Sequence, residues 1–566
     1  MDNSATYMAN KQAADAGLKV YHQVLEEDSL RPMGLQESFL MRLLKDNKET
    51  EYGRRYGFCE IHSIEEYQKR IPVVTYDDLE PYVRRMLEGE KNILTAYPVH
   101  HMNETSGTIG LPKRIPMSEK QYSIFQKYNY AYLNGVKAAY LNPVWMEGRT
   151  FSTSSGTCKT LPSGITVGSA SAKMAEMLGG SDRLEQLMQI SYTSPIEAMI
   201  PDTETDTKYL HLLFALRDRN ITGFIPSFYS AATFMLQYLA DHYEMFIHDI
   251  ETGMIDPSVS ISDAARASIS KKLKPMPERA KELRIIFQNG SDFPFLNSVW
   301  PKLQYIAGVG TDGHSVYAER LHSRFGQFHD LFSGVNASEG LWSLPKGMDD
   351  PDNILAAESA FLEFLPVEAG NDFSKAVTMD ALEVGKTYEL IITNLSGFYR
   401  YRMSDAVTVT GMLNRTPLVQ FAYRVNRTIN LAGENTTEAA ITEALRKTAE
   451  RLTFTLVDYC VYPDQMSDIS RYVILIEPSE DGLHGINLQT LEEVVYQELG
   501  KVNHYITEAV TIGRFGRPEV HLLQPQTCML YHDMMVMKGA SLTQVKPVRV
   551  ITNEKQRRFF FKLLEE

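Results

Sequence analysis

Apolar residues recur at helical spacing in GLQESFLMRLLKD, residues 34–46, and predict an amphipathic helix there. A second helix is predicted to start inside VVTYDDLEPYVRRMLEG. Thr75 stands in its N-cap position, and Asp78, three residues on, completes a capping box. Hydroxyl-rich loops and short strands follow to about residue 200, and then a helical stretch over about 205–290. The most apolar window, GFIPSFYSAATFMLQYLADHYEMF, is interrupted by Pro226, Gln237, Asp241 and His242. It therefore predicts a buried helix and not a membrane span.

The pattern changes near residue 300. KLQYIAGVGTDG is a short apolar run ending in glycines, which predicts a strand and a tight loop. ESAFLEFLPVE, TYELIITN, GFYRYRM, AVTVTG and LVQFAYRV then alternate apolar and polar positions, as a sheet or small barrel does. After Val425 the texture shifts again. NTTEAAITEALRKTAERL and LQTLEEVVYQELGKV read as helices, FTLVDYCVY and RYVILIEP as strands. No fixed-period repeat is present. The expected organisation is α/β (α+β), with a large N-terminal domain over 1–425 and a small α+β domain over 426–566.

Composition narrows the function. The 566 residues are 43% hydrophobic and 23% charged, as in soluble globular chains. Lys and Arg total 57 against 71 Asp and Glu, a formal charge of -14 that argues against nucleic acid as a partner. Cys59, Cys158, Cys460 and Cys528 are far apart, with no Cys-x-x-Cys pair, which suits a reducing compartment and no zinc site. The first residues, MDNSATYMANKQAADAG, lack the basic start and apolar core of a signal peptide. The expectation is cytoplasmic, with no membrane partner and the oligomeric state open.

The chemistry begins with NETSGTIGLPKRIP, Asn103 to Pro116. A P-loop needs Gly-Lys-Ser/Thr and an immediate helix. Here Pro112 precedes Lys113, Arg114 follows, and KRIPMS looks like a strand, so a helix N-terminus is not available to a phosphate. Gly107 and Gly110 can instead turn successive N–H groups into one concavity, with hydroxyls from Thr105, Ser106 and Thr108 and the charge of Lys113. A surface hairpin loop fits the same string. FSTSSGTCKT at 151–160 is a similar string without the second glycine, and reads as a loop.

Two further strings matter. FSGVNASEG places Ser338 and Glu339 after an apolar segment; a single carboxylate with phosphates and water is a usual magnesium arrangement, and a helix-start acid is the plainer reading of Glu339. In SGFYRYRMSDAVTVTG, period-2 alternation puts Tyr399 and Tyr401 on one face and Arg400 and Arg402 on the other, with Asp405 at the turn into the next strand. A carboxylate there can accept from both ribose hydroxyls, and Tyr399 or Phe398 can stack on a base. A cross-strand aromatic/Arg ladder with an Asp in a turn is the alternative.

TSGTIGLPK looks like the phosphate loop of adenylate-forming enzymes. With EYGRRYGF, IPVVTYDDLEPYVRRMLEGEKNIL, GVNASEG, FLEFLP, GFYRYRMSD, FAYRVNRTINLAGENTTEA and GASLTQVKPVRV, the chain resembles a bacterial-type member of the Gretchen Hagen auxin-responsive family of acyl-acid amido synthetases. The resemblance runs from about 35 to 550. It implies an adenylate-forming fold with a β-barrel and helix-flanked sheets, closed over by a small mobile C-terminal domain. It implies ATP and Mg²⁺, a carboxylic acid converted to acyl-AMP, and transfer to an amine such as an amino acid. Thr105, Ser106, Thr108, Lys113 and Ser338 would then meet phosphates, Glu339 the metal, Asp405 the ribose and Tyr399 the adenine. Gly310 and Thr311 would touch the adenylate, and Lys546 would stabilise charge at the α-phosphate.

Two positions depart from the family. Ser404 stands where glycine is common, at a strain cost if φ is positive there, and Asn435 replaces a lysine and can N-cap the next helix, with Glu438 three residues on. They keep open a catalytically silent binding homologue, and a different acceptor on the same adenylate, such as coenzyme A, is the other alternative to the amide ligase. His314, His322 and His329, at spacings that suit one helix face, read as surface residues, and of His100 and His101 at most one can face a substrate. The acid pocket has no motif; residues 205–245 are its candidate segment.

Overall fold

The computed structural model describes residues 3–564 apart from 105–112, 155–157, 169–188, 200–206, 289–293, 311–314, 426–428, 430, 432–433, 435, 480–481, 484 and 539–544. The chain separates into two compact units. One comprises Met1–Ser227, Met235–Val309 and Arg324–Phe421; the other comprises Phe228–Phe234, Gly310–Ser323 and Ala422–Glu566.

In the first unit the helix Pro32–Asn47 contains the periodic run, and the helix Tyr76–Leu87 starts at the capping box: Thr75 N donates to Asp78 Oδ2 at 2.8 Å. The strands in chain order are β1 (Val99–Glu104), β2 (Arg114–Ser118), β3 (Arg149–Ser152), β4 (Cys158–Thr160), β5 (Thr166–Gly168), β6 (Ile221–Phe228), β7 (Tyr305–Val309) and β8 (His329–Phe332). They continue with β9 (Asn336–Ala337), β10 (Gly340–Leu341), β11 (Ser343–Pro345), β12 (Asn353–Leu355), β13 (Phe361–Pro366), β14 (Thr387–Thr393), β15 (Tyr401–Leu413) and β16 (Thr416–Arg424). Sheets form in the orders β2-β1-β5-β4, β3-β6-β7-β8 and β11-β12-β16-β15-β14-β13, with β9 and β10 a separate hairpin.

The 205–290 stretch is not continuously helical. Helices Thr207–Leu216 and Tyr229–Thr252 flank β6, which takes the first quarter of the apolar window. A short apolar run is compatible with a buried strand or a buried helix, and periodicity does not separate them. Gly223 decides the packing: a Cβ there would lie 2.1 Å from the ring of Tyr305 on β7. The end of GFYRYRM, from Tyr401, and AVTVTG are also one strand, β15, carrying a bulge. Glu389 pairs with Ala406 and Ile391 with Arg402, so Leu390 alone stands opposite Met403, Ser404 and Asp405. Asp405 therefore sits at a bulge and not at a turn between strands.

Phe361, Phe364, Leu390, Ile392 and Val407 of the six-stranded sheet pack with Leu40, Leu43 and Leu44 of the helix Pro32–Asn47. Gln36 is buried in that seam with its amide fully used. It donates to Ala357 O and Ala360 O, both at 2.6 Å, and accepts from Leu362 N at 2.7 Å.

The second unit pairs β17 (Leu456–Asp464) antiparallel to β18 (Arg471–Pro478), and β18 parallel to β19 (Glu519–Leu522). Helices Glu438–Leu452 and Leu488–Val502 cover this sheet with Leu445, Leu491, Val495 and Leu499. The first of them is capped by Thr437, whose side chain accepts from Ala440 N at 3.1 Å. The cap expected at Asn435 falls two residues later, and Asn435 lies outside the described residues. Asp458 is buried near the start of β17, accepting from Arg549, from the Tyr317 hydroxyl and from Tyr459 N. Glu477 on β18 accepts from Gln526 N and Cys528 N, each at 2.9 Å, at the start of the helix Thr527–Met537. Burial, with the Asp458 charge beside it, pushes the Glu477 carboxyl up to about 7.

Ser404 has φ of 60°, a left-handed conformation that glycine adopts without Cβ strain. Ser404→Gly is expected to stabilise the protein by about 1 kcal/mol in urea unfolding, and a loss of stability would refute the strain. Glu477 holds its proton more tightly folded than unfolded. Its contribution is full below about pH 4.5 and is lost as pH rises through about 7. The stability of the wild type relative to Glu477→Gln is therefore expected to fall between those pH values, measured as a difference of denaturation midpoints.

Candidate active site

The string TSGTIGLPK hangs on the hairpin of β1 and β2, where Glu104 pairs with Arg114 and Asn103 with Ile115. Thr105, Ser106 and Thr108 lie outside the described residues, as does Thr311. The hairpin settles one point of geometry: β2 follows the loop directly, and the next helix begins only at Glu119, capped by Ser118. No helix starts where Lys113 ends the loop. Lys113 donates from Nζ to the Tyr401 hydroxyl at 3.4 Å and lies 5.4 Å from the centre of the Tyr76 ring. Tyr76 accepts from Arg114 N at 2.9 Å and donates to Arg114 O at 3.2 Å, which fixes the loop's exit. Burial raises the Tyr76 phenol, and the Glu339 carboxylate adds a smaller push, so Glu339 is within electrostatic reach of the same ring.

Ser338 and Glu339 form the two-residue turn between β9 and β10, not a helix start. The turn is held by its backbone from two sides. Asn103 Nδ2, at the end of β1, donates to Ser338 O at 2.9 Å. Asn394 Nδ2, after β14, donates to Glu339 O at 2.9 Å. Asn394 Oδ1 also accepts from Ser396 N and Phe398 N, each at 3.0 Å. The loop it organises needs Gly397, whose φ is 97° and whose Cβ position would lie 2.6 Å from Leu94 Cβ. Ser118 Oγ donates to Leu395 O at 2.9 Å, so the same loop is fastened to the end of β2. Sequence reasoning missed both asparagines; the only signal is an amide residue at a strand end beside a motif.

The GFYRYRMSD segment is mostly a brace. Tyr399 was expected near a base, and the structure corrects this. Its ring is 0% exposed, stacked on Tyr52 at 5.1 Å and edge-on to Phe58, and its hydroxyl donates to Leu94 O. No ring face is left for adenine. Phe398 is buried as well, packed at 4.9 Å on Tyr401. Arg400, with φ of 46°, makes two hydrogen bonds to the fully buried Glu363, at 3.0 and 2.9 Å, and donates to Gln68 O and Ile71 O. Arg402 pairs with Glu389 at 2.7 Å. Between them the backbone takes up Val74: Val74 N donates to Arg400 O at 3.1 Å and Arg402 N to Val74 O at 2.9 Å. Asp405 emerges from the bulge with 5% exposure. The structure thus brings Lys113 to Tyr401, and the Ser338–Glu339 turn to the end of β1, from which the TSGTIGLPK string departs.

Lys546 and Gly310 belong to the second unit. Lys546 is exposed, its ammonium 5.3 Å from the centre of the Phe228 ring. Three residues on, Arg549 is buried with its guanidinium on Asp458 and Tyr459 O and over the Tyr459 ring at 4.3 Å. Arg549 O and Ile551 N bond to Val461, so this arginine fastens the segment that presents Lys546. The histidine series does not share a helix: the helix Ser315–Arg324 carries His322, His329 opens β8 and pairs with Asp349, and His314 lies outside the described residues. His100 is exposed, beside Glu119, and His101 is buried against Thr166. Among the described residues no group of three or more His, Cys, Asp or Glu side chains is arranged to hold a metal ion.

Breaking a buried ion pair strands its partner. Arg400→Ala is expected to cost about 3–5 kcal/mol in urea unfolding. Arg400→Ala combined with Glu363→Ala should recover part of that loss. A double variant as unstable as the sum of the singles would remove the brace from this account.

With this geometry described, relatives give it a family. Residues 21–329 match the GH3 family N-terminal domain, 353–424 its central domain and 437–555 its C-terminal domain. The probable indole-3-acetic acid-amido synthetase GH3.1 of Arabidopsis thaliana is 26% identical over 550 residues, covering 93% of this chain and 90% of that protein. The jasmonoyl–L-amino acid synthetase JAR4 of Nicotiana attenuata is 25% identical over 557 residues, covering 94% and 92%. The solved structure of GH3.15 acyl acid amido synthetase superposes with a TM-score of 0.83 at 23% identity, over 96% of each chain. A 2-hydroxyisobutyryl-CoA ligase in its postadenylation state has a TM-score of 0.50 at 14% identity, covering 98% of this chain and 92% of that one, and shares the fold. The three family segments span most of the sequence, and the chain belongs to the GH3 family.

Proposed function

We propose that the protein is an ATP-dependent acyl-acid amido synthetase. It joins a carboxylic acid to AMP with release of pyrophosphate, then transfers the acyl group to an amine, an amino acid in the first instance. The observation that carries this is the 2.9 Å bond from Asn103 to Ser338 O, which ties the root of the phosphate loop to the turn bearing Glu339. Family membership supports the same reading: relatives matched over 93% and 94% of this chain are named as a probable indole-3-acetic acid-amido synthetase and a jasmonoyl–L-amino acid synthetase. We place the domain boundary near 425–435, a reading in keeping with a central-domain match that ends at 424 and a C-terminal match that begins at 437.

In this reading the hydroxyls and N–H groups of Thr105, Ser106 and Thr108 hold phosphate oxygens, and Lys113 adds a positive charge at the loop exit. Asp405 accepts from the ribose hydroxyls. Gly310 and Thr311 act on the adenylate, and Lys546 stabilises the charge that grows on the α-phosphate as the carboxylate attacks. Tyr399 is not part of it. The residues fit a magnesium ion: one enclosed carboxylate, Glu339, with phosphate oxygens and water suffices for a hard cation that keeps much of its hydration. Bound there, Mg²⁺ would offset phosphate charge. Glu339 would anchor it from a turn whose backbone the two asparagines fix.

Incubation with Mg-ATP, a pool of carboxylic acids and the twenty amino acids, read by mass spectrometry, is expected to give AMP and a new amide mass. Lys546→Ala and Glu339→Gln should each lower turnover at least about 100-fold without a comparable loss of stability. A thioester formed from added coenzyme A, with no amide, would move the protein to the coenzyme A ligases. ATP binding with no turnover in any mixture would mark a silent homologue.

A further inference from the structure

Two tyrosines meet at Lys113. Its ammonium donates to the Tyr401 hydroxyl at 3.4 Å and lies 5.4 Å from the centre of the Tyr76 ring. Neither of these two partners carries charge. A phenol and an aromatic face orient an ammonium without cancelling it, as a carboxylate would. Tyr76 also fixes the main chain one residue on. Its hydroxyl accepts from Arg114 N at 2.9 Å and donates to Arg114 O at 3.2 Å. Arg114 opens β2, the edge strand of its sheet, so a single hydroxyl occupies both backbone groups of the residue that follows Lys113. Burial raises the Tyr76 phenol, with Glu80 and Glu339 adding to it, so the hydroxyl keeps the proton that it donates.

The segments that carry the two tyrosines are paired with each other. Val74 bridges Tyr401 in parallel: Val74 N donates to Arg400 O at 3.1 Å, and Arg402 N to Val74 O at 2.9 Å. Tyr401 is buried and packs on Phe398. Two residues after Val74, Tyr76 begins its helix, whose start is set by the capping box of Thr75 and Asp78. Backbone pairing and capping thus fix the places from which both rings reach Lys113. Lysine is among the side chains with most rotamer freedom to lose. A site that orders it beforehand binds its ligand without that cost.

We infer that Tyr76 is a positioning residue which, with the Tyr401 hydroxyl, holds the Lys113 ammonium ready for the pyrophosphate half of ATP. This rests on the ATP-dependent function proposed above, in which Lys546 serves the α-phosphate and Lys113 the remaining phosphates. A group that acts only on the β- and γ-phosphates strengthens ATP and leaves AMP, which lacks them, unchanged. Tyr76 therefore sets the preference of the site for the nucleotide that enters the reaction over the one that leaves it.

The test measures binding of AMP and of α,β-methylene-ATP, which cannot be cleaved at the bond that adenylation breaks, by titration calorimetry with Mg²⁺. Tyr76→Phe keeps the ring and loses both bonds to Arg114; Tyr76→Leu loses the ring as well. Tyr76→Phe is expected to weaken the ATP analogue about 5-fold and Tyr76→Leu about 10-fold or more, with AMP within about 2-fold of the wild type in each. Tyr401→Phe removes only the acceptor. It should shift the ratio in the same direction, and it serves where Tyr76→Leu does not fold. In a Lys113→Met background, Tyr76→Phe should change the ratio no further. Equal loss of both nucleotides would show a general disturbance of the site and overturn the proposal. So would an unchanged ratio in all three variants, or a full effect of Tyr76→Phe in the absence of Lys113. A wild type that binds neither nucleotide would overturn it together with the dependence on ATP. The titration reads no turnover, so a failed amide assay overturns the amido synthetase reading alone and leaves this result standing.

Discussion

The buried pair of Arg400 and Glu363 is the contact on which the first unit's site depends. Two charges are enclosed, and their desolvation is offset only because the geometry is complete: two hydrogen bonds to Glu363 and two more to the carbonyls of Gln68 and Ile71. That completeness holds Arg400 at a positive φ which its side chain would otherwise disfavour. With Arg400 fixed, Val74 docks on the neighbouring backbone, Tyr401 enters beside Lys113, and the bulge at Ser404 directs Asp405. A segment that looks like a binding motif is thus mainly a frame, and its functional output is confined to its two ends.

Local chemistry was readable from the sequence where it is self-contained. The helix Pro32–Asn47, the Thr75–Asp78 capping box and the strands β13, β14 and β16 each express a period or a spacing that neighbours in sequence fulfil by themselves. The positive φ at Ser404 was also legible, because a non-glycine residue at a glycine position states its own cost. β6 was not legible: its apolar run satisfies helix and strand alike, and the choice is made by Tyr305 lying across Gly223. Tyr399 shows a different failure. Alternation presumes a strand through it, whereas β15 begins at Tyr401 after a left-handed Arg400, and its ring is sealed by Tyr52 and Phe58, more than 300 residues earlier in the chain.

The same reasoning explains why the clamp on the Ser338–Glu339 turn left no trace in the motifs. Asn103 and Ser338 are 235 residues apart, and Asn394 and Glu339 are 55 apart. Each asparagine reads a main-chain carbonyl, so no complementary side chain exists to betray the pairing. The second unit has a parallel: Arg549 looked like part of a functional string, and the structure makes it the anchor of the segment that carries Lys546. In both units the residue that touches substrate in the proposed mechanism is separate from the residue that fixes its backbone.

The backbone clamp on the hairpin turn has an evolutionary consequence. Because both asparagines bind carbonyl oxygens, the course of the chain at residues 338 and 339 does not depend on the side chain at 338, which is partly exposed. Drift at that position changes what the turn displays without changing where it lies. A lineage can vary the side chain there one substitution at a time, on a loop whose shape is inherited intact.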